Sequence, residues 1–246
     1  MSERIRLDLA LEQHGLLPSR ARARDAILRG TVTINGVTAP RPHQMVGPAD
    51  TLALSDPAAN YVSRAALKLV AGLDAGGIDP NGKTCLDVGA STGGFTQVLM
   101  ERGATRIYAV DVGHGQLHPR LKGSDRVTGM EGVNARDLTP DLITEPIDLL
   151  VSDISFVSVT KVLAAPLALC TPNANAVILF KPQFEVGRQN IGKGGIVTDR
   201  AAIDTALAGV IAFVEAQGFR HRLSVPSPIA GGDGNHEIVL VFGRSV

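Results

Sequence analysis

The chain of 246 residues is 44% hydrophobic, which is enough for one well-formed core and a small second domain. Its 24 Lys and Arg residues equal its 24 Asp and Glu residues, so the total charge excludes a globally basic nucleic-acid-binding protein, and any such surface must come from local clustering. The two cysteines, Cys85 and Cys170, lie singly in apolar stretches, which excludes a disulfide framework and indicates a reducing, cytoplasmic environment.

The first elements predicted along the chain are two helices and a hairpin. A short amphipathic helix spans residues 4–14 and stops at a glycine, and a second helix runs from an N-cap at Ser19 to Gly30. The alternating stretch TVTINGVTA then turns at Asn35 and Gly36, a dipeptide typical of two-residue hairpins. Together these elements predict a small α+β unit.

The second helix and its surroundings are rich in arginine. Residues 18–43 contain one acid and five arginines, which are Arg20, Arg22, Arg24, Arg29 and Arg41. On a helix, Arg22 and Arg29 project to one side, and Arg20 and Arg24 form an i,i+4 pair on another. They are either a solvated helix face or a phosphate-binding surface. The stretch SRARARDAILRGTVTINGV resembles the S4 RNA-binding module, which implies that Arg20, Arg22, Arg24 and Arg29 bind RNA.

After a linker at 57–62, helical segments alternate with apolar strands. Four strands are predicted in KTCLDVGA, RIYAVDVG, PIDLLVSDIS and ANAVILFKP. A helix over about 199–217 precedes two more, RHRLSVP and HEIVLVFG, joined by the glycine-rich IAGGDGN. This alternation predicts an α/β fold with a mostly parallel sheet and an antiparallel C-terminal edge. The chain therefore divides into domains at 1–56 and 63–246.

A glycine-rich turn follows the first strand of the second domain, in LDVGASTGGFT. Gly89 permits a tight turn, and Gly93 lets the next helix begin close to whatever lies above it. The spacing differs from the GxGxxG of a dinucleotide site and resembles the first motif of methyltransferases that use S-adenosylmethionine (SAM). A SAM site is favoured over a nucleotide site or a structural turn, with Gly89, Ala90, Ser91 and Gly93 as candidate contacts.

Three polar residues after the next strands are further candidates for cofactor binding. Asp111 ends the second strand, where a carboxylate either accepts both ribose hydroxyls of a nucleoside or caps the strand end. Asn134 and Asp137 come after what would be the third strand. Either one accepts the adenine amino group, with Asp137 slightly preferred, or each only caps the next segment.

Charged residues end two neighbouring apolar strands. Asp153 follows one strand and Lys181 the other, so both are expected to point into the crevice above the sheet. Asp153 is also a candidate contact for the cofactor. In isolation this pair is equally consistent with a structural ion pair.

More charge is predicted near this crevice. In YVSRAALKL, Ser63 is a candidate N-cap, and Arg64 and Lys68 lie four apart on one helix face, where like charges repel unless an anion is near. The candidate anions are Asp153, Glu237 at the start of the last strand, and RNA phosphates. Arg64 is accordingly a candidate RNA contact.

Lys68, Asp153, Lys181 and Glu237 resemble, in order and in local motif, the K-D-K-E tetrad of the FtsJ-like ribose 2′-O-methyltransferases. With the S4-like module, nearly the whole chain is similar to the TlyA family of ribosomal RNA methyltransferases, historically called hemolysin A. The resemblance implies a Rossmann-like SAM-dependent methyltransferase domain, SAM as cofactor, ribosomal RNA as partner and no metal. It favours cytidine ribose and the large subunit, and a one-site enzyme of this kind is expected to be a monomer.

The tetrad suits a reaction in which a ribose 2′-hydroxyl loses its proton while it attacks a sulfonium methyl group. Lys181, desolvated and beside the cation Lys68, is expected to take that proton in its uncharged form. Asp153 is expected to orient the amine and hold the methyl donor, while Lys68 and Glu237 position the ribose. Pro182 is expected to fix the departure of the chain after Lys181.

Three other functions remain open at this point. A membrane-active hemolysin is disfavoured because the N-terminus lacks an apolar signal core and the longest apolar region, 147–170, is interrupted by charges. A non-catalytic RNA-binding assembly factor is disfavoured by the complete tetrad. A Rossmann oxidoreductase is disfavoured by the glycine spacing.

Overall fold

The computed structural model describes residues 4–231 and 234–244 and divides into two compact units, one up to Asn60 and one from Tyr61 onward. Each unit has its own buried apolar core. Among the described residues, no helix combines the length and the apolar character needed to cross a membrane.

The first unit packs two helices on short strands. Its elements are β1 (Ile5–Arg6), α1 (Leu7–Gln13), α2 (Arg20–Leu28), β2 (Val32–Ile34), β3 (Val37–Thr38), β4 (Met45–Val46) and β5 (Leu52–Leu54). Strand β1 pairs with β4, and β2 lies between β3 and β5. The predicted first helix therefore begins later than expected, because Ile5 and Arg6 pair with β4 as a strand.

The predicted hairpin and second helix are present. Ile34 pairs with Val37, and Asn35 and Gly36 between them have φ of 51° and 80°, the left-handed values that a type I′ turn needs. Ser19 caps α2, since its Oγ accepts a hydrogen bond from the backbone N–H of Arg22 at 3.3 Å.

The second unit is a seven-stranded sheet with helices on both faces. Its elements are α3 (Ala66–Gly76), β6 (Thr84–Val88), α4 (Gly94–Glu101), β7 (Arg106–Asp111), α5 (Pro119–Lys122), β8 (Val127–Glu131), β9 (Ile147–Ser152), α6 (Ala164–Ala168), β10 (Cys170–Phe180), α7 (Pro182–Glu185), α8 (Arg200–Ala216), β11 (Arg220–Pro226) and β12 (Ile238–Gly243). The strand order is β11-β12-β10-β9-β6-β7-β8.

The sheet has the predicted mixture of directions. Strands β10, β9, β6, β7 and β8 are parallel, and β12 runs antiparallel to both β10 and β11 at the C-terminal edge. The chain moves outward from β6 to β8 and then returns to place β9 on the other side of β6. This reversal opens a crevice at the carboxyl ends of β6 and β9, where such sheets bind their ligands.

Close packing of α3 positions its first turn above the sheet. A Cβ atom on Gly72 would lie 2.7 Å from side-chain atoms of both Val177 and Val239, so only glycine lets the helix approach this closely. Lys68 lies one turn earlier on the same face. Gly72 therefore lets α3 lie closer to the sheet, which brings Lys68 nearer to the carboxyl ends of the strands.

The start of α3 differs from the prediction. The helix begins at Ala66, and Ser63 accepts a hydrogen bond from the backbone N–H of Ala65 at 3.2 Å in the preceding turn. Arg64 therefore lies before the helix and does not share a helical face with Lys68. In the glycine-rich connection between β11 and β12, residues 232–233 lie outside the described part of the chain.

Candidate active site

Two charged side chains follow directly on neighbouring parallel strands. Asp153 is the first residue after β9 and Lys181 the first after β10, and the strands pair up to Ser152 and Ile178. The Nζ atom of Lys181 lies 2.7 Å from Oδ1 of Asp153. Both side chains leave the sheet at its carboxyl edge, so the ion pair lies in the crevice where sheets of this kind bind their ligands.

A second lysine extends this pair into a row of alternating charges. The Nζ atom of Lys68 lies 3.5 Å from Oδ2 of Asp153 and 2.6 Å from Oε2 of Glu237, the residue before β12. The side chains of Lys68, Lys181 and Glu237 are each less than a tenth exposed. Buried charges are costly unless they are paired, and the alternation pairs each one. The structure thus brings together all four residues of the predicted tetrad, while their roles stay a prediction.

Ser155 joins this row and was not predicted. The Nζ atom of Lys181 donates to Oγ of Ser155 at 2.7 Å and to the backbone carbonyl of Asp153 at 3.3 Å. A signal was available in the motif DIS, because residues two apart in an extended segment face the same side. Ser155 was overlooked because a lone serine has no chemical signature of its own.

The short helix α7 fixes the backbone immediately after Lys181. Pro182 occupies its first position, where a locked φ and a missing N–H suit a helix start. Glu185 accepts from Oγ of Ser158 at 2.6 Å and from the backbone N–H of Val159 at 2.9 Å, which ties α7 to the segment after β9. Burial raises the pKa of Glu185 above its ordinary value.

Asn235, also missed from the sequence, holds the loop beside Glu237. Its Oδ1 accepts from the backbone N–H of Val197 at 3.0 Å, and its Nδ2 donates to the carbonyl of Gly195 at 2.9 Å. The residue is 2% exposed. Because it lies two positions before Glu237, these bonds fix the backbone that delivers the carboxylate.

A cavity of about 450 Å³ adjoins the tetrad at the ends of β6, β7 and β9. It is lined by Gly89, Ser91, Asp111, Asn134 and Asp153 among other residues. Its volume is within the range of about 300–1,000 Å³ that is usual for small-molecule sites. Gly89 shapes its wall: with φ of 85°, a Cβ there would lie 3.2 Å from backbone atoms of Ile154.

The predicted cofactor residues differ in their relation to this cavity. Ala90 lines a smaller adjoining cavity of about 170 Å³, together with Gly89 and Ser91. Gly93 lines neither, and a Cβ on it would collide with Leu121, so this glycine serves the packing of α4.

Asp111 and Asn134 lie in the cavity wall, whereas Asp137 does not. The carboxylate of Asp111 accepts from the backbone N–H of Ser91 at 2.8 Å and from that of Gly113 at 2.7 Å, and each oxygen keeps a second lone pair. Asp137 is exposed and outside the lining. Asn134 also caps the next turn, because its Oδ1 accepts from the backbone N–H of Arg136 at 3.1 Å, so the adenine contact of either residue stays a prediction.

An aromatic ring stands at the rim of the cavity. Phe156 is 91% exposed and has φ of 70°, a conformation that costs a non-glycine residue about 1–3 kcal/mol. It packs on Phe184 of α7 with ring centroids 5.6 Å apart. Burial does not explain a strained and exposed ring, so the position suits contact with a ligand.

A fully buried carboxyl lies in β6 beneath the site. Oγ1 of Thr96 donates to Oδ2 of Asp87 at 2.6 Å, and Oδ1 has no hydrogen-bond partner among the described residues. Burial raises the pKa of Asp87 to about 7, the Thr96 hydrogen bond opposes this rise, and the nearby charge of Asp153 adds to it.

The raised pKa of Asp87 predicts that stability falls as pH rises. Below pH 3.8, the ordinary value, both states hold the proton; between there and about pH 7 only the unfolded state releases it. Replacing Asp87 with Asn is expected to remove this loss, which is of the order of a few kcal/mol. Denaturant unfolding of the ligand-free chain at several pH values measures the free energy of unfolding. The same pH dependence in the wild type and in Asp87→Asn would contradict the prediction.

The predicted RNA-binding arginines fall into two groups in the first unit. Arg20 and Arg24 line an open cavity with a volume of about 870 Å³, together with Arg6, Arg41 and His43. Arg22 donates instead to the carbonyl of Ala58 at 2.7 Å, and Arg29 pairs with Asp25 and Asp56 at 2.9 and 2.7 Å. Arg22 and Arg29 therefore hold the end of this unit together, and their binding to RNA stays a prediction.

Two family models match the chain. The S4 domain matches residues 5–52, and the FtsJ-like methyltransferase matches residues 61–244.

Three relatives are similar over nearly the whole length. The chain is 43% identical to the 16S/23S rRNA (cytidine-2′-O)-methyltransferase TlyA of Mycobacterium tuberculosis, over 98% of this chain and 90% of that protein. It is 38% identical to hemolysin A of Brachyspira hyodysenteriae, over 97% and 99%. A solved hemolysin candidate from Streptococcus thermophilus superimposes with a TM-score of 0.76 at 34% identity, covering 100% of this chain and 90% of that one.

Proposed function

Because the chain belongs to the TlyA family, with an S4 domain followed by an FtsJ-like methyltransferase domain, we propose that it methylates a ribose 2′-hydroxyl of ribosomal RNA with SAM as donor. The observation that carries the proposal is the buried row Lys181, Asp153, Lys68 and Glu237 beside a cavity of cofactor size. The names of the relatives support a cytidine as the target. We further propose that the substrate is large-subunit RNA and that the enzyme acts as a monomer.

The cavity fits SAM. Gly89 leaves room for a ligand against the turn, Asp111 offers carboxylate lone pairs to ribose hydroxyls, and Asn134 offers a side-chain amide to adenine. Asp153 lies where it can face a cationic donor. Bound SAM supplies a sulfonium methyl group that an oxygen nucleophile attacks in line.

Replacing Asp111 with Ala is expected to weaken SAM binding by about tenfold or more. The change removes the ribose acceptor and also releases the backbone N–H groups of Ser91 and Gly113. Calorimetry with the purified chain measures the affinity. Asp125→Ala, in an exposed turn, is the control and should bind as the wild type does; equal affinity for Asp111→Ala would exclude the ribose role.

The four charged residues have different roles at the reacting hydroxyl. Lys181, in its uncharged form, takes the proton of the 2′-hydroxyl, and Asp153 orients the amine at 2.7 Å. Lys68 stabilises the charge that develops on the oxygen, and Glu237 holds Lys68 at 2.6 Å. The exposed ring of Phe156 offers a stacking surface for the base next to that ribose.

The S4 domain, proposed to span 1–56, supplies affinity. Arg6, Arg20, Arg24 and Arg41 gather on one concave face, and it stays basic although Asp8 on the same face pairs with Arg6 at 2.8 Å and with Arg20 at 3.5 Å. Such a cluster attracts phosphates without reading sequence, so the target nucleotide is selected elsewhere. Arg64 is proposed to contact RNA beside the active site.

The test of the function is a transfer assay with labelled SAM and purified large and small ribosomal subunits. The expected product is 2′-O-methylcytidine in large-subunit RNA after nuclease digestion. Binding of subunits without transfer would instead support a non-catalytic assembly factor. Lysis of erythrocytes by pure protein that persists after Lys181→Met would support a hemolysin.

A further inference from the structure

The amine of Lys181 has three oxygen neighbours. They are Oδ1 of Asp153 at 2.7 Å, Oγ of Ser155 at 2.7 Å and the carbonyl of Asp153 at 3.3 Å. The contacts to Ser155 and to the carbonyl have hydrogen-bond geometry, whereas the contact to Oδ1 of Asp153 is an ion pair, which suits the ammonium form. An uncharged amine has two N–H donors and one lone pair, so one neighbouring position must then face the lone pair.

Ser155 is the neighbour that can change. A carboxylate and a carbonyl oxygen only accept hydrogen bonds, whereas a hydroxyl accepts or donates by rotating its hydrogen. Ser155 is also exposed and lines both the cofactor cavity and the adjoining small cavity, while Lys181 is 6% exposed. Of the oxygen neighbours of Nζ, the hydroxyl of Ser155 therefore lies on the side that faces the two cavities.

We propose that Ser155 is a positioning residue for methyl transfer, because its hydroxyl holds the amine of Lys181 in both protonation states. This inference rests on the proposed function. Before reaction the hydroxyl donates to the lone pair of Nζ and gives way to the ribose 2′-hydroxyl. The ribose proton then moves to that lone pair while the ribose oxygen takes the methyl group, and once the product has left, the serine oxygen accepts from the resulting ammonium, without gaining or losing a proton itself.

The inference predicts a change in pH dependence. The charged groups around Lys181 are Asp153, Lys68 and Glu237, with Asp87 buried beneath them, and a serine substitution leaves all of them in place. A hydrogen bond accepted from an ammonium is stronger than one donated to an amine. Ser155→Ala therefore disfavours the ammonium, and the acid limb of the rate profile is expected to move to lower pH.

The experiment measures single-turnover methyl transfer by the full chain on ribosomal subunits between about pH 5.5 and 9.5. Ser155→Ala is expected to lower the plateau rate by about 10- to 100-fold, because the amine loses its orientation. The unfolding midpoint should stay as in the wild type, and any change in SAM affinity, measured separately by calorimetry, should be much smaller than the loss of rate. Ser155→Thr, which keeps the hydroxyl, should restore the rate and the pH profile, and Ser124→Ala, in a turn before β8, serves as the matched control.

Two outcomes would overturn the inference. One is a Ser155→Ala enzyme with the wild-type plateau and acid limb. The other is a loss that Ser155→Thr fails to restore, or that lies wholly in SAM affinity or stability, since that would indicate a structural role. If the wild-type chain transfers no methyl group to either subunit, the proposed function itself fails, and this result is distinguishable because it involves no variant.

Discussion

Replacing Lys181 with methionine is expected to reduce methyl transfer by about 10²–10⁴-fold, the usual contribution of a general base. Methionine keeps most of the apolar stem, so the packing at the end of β10 is retained while the amine is lost. SAM binding should be nearly unchanged, because Lys181 is not among the residues that line the proposed cofactor cavity. The measurement is single-turnover transfer at saturating SAM, with affinity determined separately by calorimetry.

Lys83→Met is the matched control for this change. Lys83 precedes β6 at the amino end of the sheet, on the side away from the crevice, and its replacement should leave the rate unchanged. Wild-type turnover by Lys181→Met would exclude Lys181 as the base. A variant that loses SAM binding and transfer together would assign the lysine to the cofactor instead.

Much of the fold could be predicted because its signals are local. The apolar runs that became β6, β7, β9 and β10 are long enough to be recognised singly, and Asn35 with Gly36 specifies a hairpin by backbone conformation. Strand β1 could not be predicted, since two residues carry no periodicity and pair only because β4 lies beside them. The start of α3 was misplaced because serine stabilises turns as well as helix caps.

The candidate site was predictable where charge interrupts an apolar pattern. Lys181 and Asp153 end buried strands, and parallel neighbours bring such ends together. Ser155 and Asn235 could not be found in this way, because their importance comes from partners distant in sequence: Asn235 bonds to Val197, and Ser155 to Lys181. The choice between Asn134 and Asp137 likewise depends on which side of one turn faces the cavity.

The second large effect is expected at the ion pair of Lys68 and Glu237. Replacing Glu237 with Gln leaves Lys68 buried, with Asp153 at 3.5 Å as its remaining carboxylate, and is expected to cost about 3 kcal/mol of unfolding free energy. Lys68→Met removes the other partner and should cost a similar amount. The double variant, with neither charge, is expected to be more stable than the sum of the two losses predicts.

Activity and stability should separate in this double-mutant cycle. Transfer is expected to stay low in all three variants, because the reacting oxygen loses Lys68 or its correct position, even where the double variant regains stability. Unfolding in denaturant and single-turnover rates measure the two quantities. The control cycle is Asp74→Asn with Arg102→Met, an ion pair of 2.7 Å whose side chains are 60% and 31% exposed, and it should cost less than about 1 kcal/mol.

A double variant that regains both stability and methyl transfer would show that the Lys68–Glu237 pair serves the fold alone. Such a result would reduce the reaction site to Lys181, Asp153 and Ser155, since these three keep their mutual contacts without the pair. Loss of transfer in a stable double variant would instead assign the pair to the chemistry. The burial of both charges favours this outcome, because a buried ion pair is weak evidence of a purely stabilising role.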